Sequence, residues 1–128
     1  MTNNDKITSF TKLNAWIEGH KLVLLIYKTT KQFPKNETFG LIGQMRRSVV
    51  SVTSNIAEGF SRQSYKEKIQ FYSIAQGSLT ELENQLIIAR DVDYINDKEF
   101  KILVFQAKTA HKILRGLIKK SKSFIRKS

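Results

Sequence analysis

The chain has 128 residues, 41% of them hydrophobic, with a single proline; that suits one folded, helix-rich domain with a single core and argues against disorder. Its net charge of +11 and pI near 10.0 favour polyanionic partners, nucleic acid first and an anionic membrane surface second. Cysteine is absent, which excludes disulfides and cysteine-ligated metal, and the polar start from Met1 to Lys6 together with a longest apolar run of only Leu22 to Tyr27 predicts a cytoplasmic protein with no secretory signal and no membrane-spanning segment; of the two polyanions nucleic acid is taken as the partner and the membrane is not.

Four amphipathic segments are expected, over about residues 10–33, 38–61, 64–91 and 97–122 of a single domain spanning 1–128. In the first, Leu13, Trp16, Ile17, His20, Val23, Leu24 and Tyr27 recur at helical spacing and are read as the inward face. Ser9 or Thr11 is placed to cap it, and Pro34 ends it because proline disfavours helix in the preceding residue. Leu22, Leu25 and Ile26 then fall off that face. Three clustered aliphatics in water point to a subunit interface, each gaining ~1.5–3 kcal/mol if fully buried.

The second segment has a core stripe of Ile42, Met45, Val49, Val52, Ile56 and Phe60. The run Val49 to Thr53 has strand propensity, but the apolar period spans the whole segment and local propensity is a weak prior. Gly59 lies where a helix often terminates. Opposite the core, Gln44, Arg47, Ser51, Asn55, Glu58 and Arg62 form one polar line at spacings of 3, 4, 4, 3 and 4. Such a line is a solvated face, a polar seam between subunits, or the wall of a central opening in a ring. Asn55, Glu58 and Arg62 are assigned to bundle or subunit hydrogen bonding.

The third segment opens with Ser64 and Glu67 at capping-box spacing and carries Tyr72, Ala75, Leu79, Leu82, Leu86 and Ala89 inward. The fourth opens with Asn96 and Glu99 at the same spacing and continues through Leu103, Ala107, Ala110, Leu114 and Leu117. Helices of this size are roughly 30–38 Å long, and short links make them antiparallel neighbours. The expected fold is therefore all-α: an antiparallel up-down-up-down four-helix bundle.

The fourth segment also carries Lys108, Lys112, Arg115, Lys119, Lys122 and Arg126 at spacings of 4, 3, 4, 3 and 4, with no acidic residue after Glu99. A helix dipole favours cations over about one turn and does not account for a ridge of five turns. Phosphate contact does, with sequence-tolerant, salt-sensitive binding. Lys108, Lys112, Arg115, Lys119 and Lys122, with Arg46 and Arg47, are the candidate nucleic-acid contacts. Phe105 borders the ridge, in a position to stack on a base or pack against a neighbour.

Catalytic chemistry is not apparent. His20 is read as a core imidazole, and His111 has no carboxylate at ligand spacing. No phosphate-binding glycine loop, nucleophile elbow or metal-ligand cluster occurs, so no enzyme, metal or cofactor is expected.

The array Phe33-Pro34, Glu37, Phe39-Gly40-Leu41, Gln44, Arg46-Arg47, Val50-Ser51, Ser54-Asn55-Ile56-Ala57-Glu58-Gly59, Arg62, Phe71, Ala75, Gly77-Ser78 and Glu81-Leu82 resembles a bacterial four-helix-bundle family. Its members are encoded within intervening sequences of large-subunit ribosomal RNA genes. The accessory variability determinant proteins of diversity-generating retroelements are related to it. The likeness runs from about Phe10 to Leu117, with Thr53 standing where the family often has proline. It implies a basic, barrel-like homopentamer and, in the retroelement branch, binding to RNA and a reverse transcriptase. The resulting expectation is a non-enzymatic, oligomeric RNA-binding protein. The alternative is a scaffold for an acidic protein partner such as a reverse transcriptase.

Overall fold

A computed structural model describes residues 6–127, with side chains through Ile125, and four α-helices carry its architecture. They are α1 (Asn14–Thr30), α2 (Leu41–Ser61), α3 (Tyr65–Asp91) and α4 (Asp97–Lys127). Each packs on its two neighbours in a closed ring, α1 on α2, α2 on α3, α3 on α4 and α4 back on α1. Cross-helix pairs fix the directions. Ser51 meets Ser78 while Phe60 meets Lys68, and His111 meets Gln76 while Phe124 meets Tyr65. Rising numbers on one helix face falling numbers on the next, so these neighbours are antiparallel.

The helix ends follow local chemistry. The first expected helix is two pieces: a 3-10 turn, Phe10–Lys12, capped by the Ser9 hydroxyl, then extended backbone at Leu13 before α1 starts. α1 stops at Thr30, three residues short of the expected end, and the chain winds through a second 3-10 turn, Lys35–Glu37. α2 begins at Leu41 because Glu37 Oε1 accepts the Leu41 N–H at 3.0 Å, a carboxylate serving the free end of a helix. A Cβ on Gly40 would stand 2.5 Å from that oxygen, so glycine there leaves room for the cap. Ser64 Oγ accepts the Glu67 N–H at the start of α3. At α4, Asn96 and Glu99 exchange both bonds of a capping box, at 2.8 and 2.9 Å. α3 ends at Asp91, and two residues on Asp93 takes the left-handed region, φ 63°, with Tyr94 N–H reaching Ala89 O at 2.8 Å and Asp93 N–H reaching Arg90 O. α4 continues to Lys127, beyond the expected 122.

The stripes expected on α2, α3 and α4 are the core, with Phe60 and Leu117 at its margin. The reading of α1 is corrected. Leu22 and Ile26 are 0% exposed in the bundle core, so they are not free to form a subunit interface, while Leu25 is half-buried at the margin of that core. Leu24 and Tyr27, read as inward, are exposed. The cause is Gly19, which shares the Leu22–Ile26 face with Ala15. The lack of a side chain there lets α2 approach, and a Cβ on Gly19 would already touch Thr53 Cγ2 at 3.1 Å. The larger Trp16 is displaced to the rim, where it stacks on a half-buried His20 at 4.7 Å.

Arg46, one of the candidate phosphate contacts, has a structural role. Its Nε donates to buried Thr30 Oγ1 at 2.9 Å, and its guanidinium lies 4.6 Å from the Tyr27 ring centroid. It ties α2 to the end of α1 and is half-buried, because Thr30 already spends its hydroxyl proton on Ile26 O and needs a donor.

Candidate nucleic-acid interface

The outer face of α4 is built by the alternation that buries its inner face. Steps of three and four residues keep Leu103, Ala107, Ala110, Leu114 and Ile118 buried. The same steps keep Lys108, Lys112, Arg115, Lys119 and Lys122 exposed along one line. From Lys108 to Lys122 the ridge rises about 21 Å at ~1.5 Å per residue. Among the described residues, none of the five cations forms an ion pair. The Arg126 side chain lies outside the described residues.

Beside the ridge, α3 and α4 leave a furrow in two stretches that share Arg115. One, of about 360 Å³, is lined by Glu83, Lys108, His111, Lys112 and Arg115. The other, of about 490 Å³, is lined by Gln76, Arg115, Gly116, Ile118, Lys119 and Lys122. His111 closes the floor. Its Nδ1 lies 3.3 Å from Glu83 Oε2 and its Nε2 lies 3.3 Å from the Gln76 amide nitrogen. The carboxylate that His111 lacked by spacing within α4 is thus supplied by α3. Glu83 and Gln76 stand seven residues apart, two turns of one face, and no local motif announces a partner on another helix. Phe105 stands outward with 73% of its surface exposed, one turn from both Lys101 and Lys108 on the same helix.

The two arginines on α2 do not join this surface. Arg46 is the structural tie already described. Arg47 is exposed beside a separate cleft of about 220 Å³ between α2 and α3, with Gln44, Ser48, Ser51 and Glu81.

The polar line on α2 lies largely along its contact with α3, inside one chain. Ser51 Oγ meets Ser78 Oγ at 2.8 Å, and Asn55 Nδ2 donates to Ser51 O and Oγ at 2.8 and 3.0 Å. Arg62 pairs with Glu58 at 2.7 Å and covers the Phe71 ring of α3 at 4.6 Å. Gly59 lies near the end of the helix, which runs to Ser61 as expected, and it admits the Tyr72 ring, which a Cβ would meet at 2.7 Å. Lys68 then closes the end of α2, its ammonium donating to Phe60 O at 2.6 Å, and burial lowers its pKa.

Two further groups were not visible by spacing. Glu37 binds Leu41 N–H and accepts the Tyr94 hydroxyl at 2.7 Å, which together hold its carboxyl below the usual value. Glu18 accepts from Gln106 of α4 at 2.9 Å and from Lys21, and is likewise lowered. Both join helices and neither faces the furrow. Among the described residues no cluster of three or more His, Asp or Glu is placed to hold a metal, and no helix is long and apolar enough to cross a membrane.

A family model described as 23S rRNA-intervening sequence protein matches residues 11–116. A crystal structure from Bacteroides thetaiotaomicron, described as a protein with unknown function from the S23 ribosomal protein family, superposes with a TM-score of 0.76. The sequences are 23% identical, and the match covers 82% of this chain and 98% of that one, which supports the bundle fold. No curated protein matches.

Proposed function

This chain belongs to the 23S rRNA-intervening sequence protein family, and from that premise we propose that it is a non-enzymatic, oligomeric RNA-binding protein that grips the phosphate backbone along the α3–α4 furrow. The observation that carries this reading is the ridge of five exposed cations, none of them paired to a carboxylate among the described residues. Lys108, Lys112, Arg115, Lys119 and Lys122 make the phosphate contacts, and Arg47 adds one from another face. Phe105 offers an unpaired base a stacking surface among lysines. Self-association, which the resemblance puts at five copies, repeats the ridge around a particle. Leu24 and Tyr27, rather than Leu22 and Ile26, are the α1 side chains open to such a contact.

Fluorescence anisotropy with a structured RNA hairpin, titrated from about 50 to 300 mM salt, tests the proposal. Six phosphate contacts give a slope of log affinity against log salt of about −5. Replacing Lys108, Lys112 and Lys119 by glutamine should flatten that slope by about 2–3 units. A slope near zero, or one indifferent to the three substitutions, refutes it.

A second reading, a scaffold for an acidic protein such as a reverse transcriptase, draws on Phe39. It stands 98% exposed at the end of the bundle where α1 turns into α2. Capture of a protein that survives nuclease treatment and is lost in Phe39→Ser favours that reading.

A further inference from the structure

One carboxylate stands among the cations of the furrow, and its neighbour is a histidine. We propose that Gln76, His111 and Glu83 make this stretch a protonation-controlled phosphate seat, binding an RNA backbone phosphate tightly when the imidazole is charged and weakly when it is neutral. The inference rests on the RNA-binding reading above and adds its regulation.

The geometry satisfies both states. With neutral His111, Nδ1–H donates to Glu83 and Nε2 accepts from the Gln76 amide, the arrangement the nitrogen-to-nitrogen contact of 3.3 Å describes. With charged His111, both ring N–H groups donate, one to Glu83 and the other to Gln76 Oε1 after a half-turn of the amide. Neither state strands a polar group in a site where the imidazole side chain is only 13% exposed. An imidazole is the side chain that ordinarily changes charge between about pH 5 and 8.

The charged groups lining this stretch are Glu83 from α3 and Lys108, Lys112 and Arg115 from α4; α1 and α2 contribute none. Glu83 has His111 as its sole ion-pair partner among the described residues. While His111 is neutral, the full carboxylate charge opposes an incoming phosphate. A proton on the imidazole offsets that charge in place and leaves the three cations to the ligand. A unit charge a few ångströms from a phosphate, screened by water, changes affinity about three- to fivefold.

The test measures binding of the same hairpin at about pH 6 and pH 8 at fixed ionic strength. The wild-type protein should bind about three- to fivefold tighter at the lower pH. His111→Gln should lose that response, His20→Gln should keep it, and Glu83→Gln should bind at pH 8 about as tightly as wild type does at pH 6. A pH response retained in His111→Gln, or an unchanged affinity in Glu83→Gln, overturns the seat while RNA binding stands. A second measurement follows the His111 ring protons by NMR on adding tripolyphosphate at both pH values. Shifts confined to the lower pH, with no RNA bound at either, keep the seat and overturn RNA as its ligand. No shifts and no RNA binding overturn both.

Discussion

Gly59→Ala puts the packing of α2 on α3 to a direct test. Glycine is the costlier residue in a helix interior, so the exchange alone should stabilise α2 by ~0.8–1 kcal/mol. The added methyl, however, would stand 2.7 Å from Cε1 and 2.9 Å from Cδ1 of Tyr72, and 3.1 Å from the Lys68 carbonyl oxygen. Tyr72 is 2% exposed and has no room to swing away, and the carbonyl is fixed in the first turns of α3. Relief requires the two helices to part, an overpacking cost of about 1–3 kcal/mol. The contacts are close enough to place the cost in the upper half of that range. The net expectation is a loss of about 1–2 kcal/mol. Urea unfolding followed by circular dichroism measures it. The double variant Gly59→Ala with Tyr72→Leu should lose less than the sum of its singles, because the shorter side chain leaves space for the methyl. A Gly59→Ala protein as stable as wild type, or strict additivity in the cycle, refutes the close-approach explanation.

Gly77→Ala and Gly116→Ala meet nothing within 4 Å and should each gain ~0.8–1 kcal/mol in the same assay. Arg46→Ala should cost about 1–2 kcal/mol by removing the donor to Thr30 and the cover on Tyr27, while leaving RNA affinity unchanged; Lys112→Ala should do the reverse. Glu37, lowered first by the Leu41 N–H and then by the Tyr94 hydroxyl, and Glu18, lowered first by Gln106, stabilise the fold fully above the ordinary carboxyl value of 4.5. That contribution is lost as pH falls through their lower folded values. Thermal melts from about pH 7 to pH 3 should show it, and Glu37→Gln should melt lower at neutral pH with a shallower acid decline.

Three of the four core stripes were legible because their apolar residues are large and recur at the helical period. The stripe of α1 was not, because hydrophobic size and burial part company there. Gly19 carries no size signal, yet it sets which side of α1 the second helix can approach, and Ala15, Leu22 and Ile26 share its buried face. The segment is apolar nearly all round, so the period alone does not select a face. Caps were readable where they are local, at Ser64 and Asn96. They were not where a partner comes from elsewhere: Glu37 serves α2 across Gly40 and holds Tyr94 from the turn before α4. The ridge was readable in full through Lys122 because it is one helix face, whereas its furrow and the His111–Glu83 pair arise only when α3 is laid beside it.

An unpaired cationic ridge costs stability, and that cost is informative. Lys108 and Lys112, then Arg115 and Lys119, stand at i,i+4 with like charge, each pair unfavourable by ~0.2–0.5 kcal/mol. The chain does place opposite charges where stability alone is at stake: Glu18 pairs with Lys21 and Glu58 with Arg62. On α3, across the furrow, Glu83 is turned to His111 rather than to a lysine. Glutamates interleaved on α4 would have removed the repulsion without touching the core, since every ridge position is exposed. A face that keeps its charges uncompensated over about 21 Å is therefore not accounted for by folding. The proposed contact with RNA would account for it, and on that proposal the phosphates meet cations set at steps of roughly 4.5 and 6 Å along the helix axis.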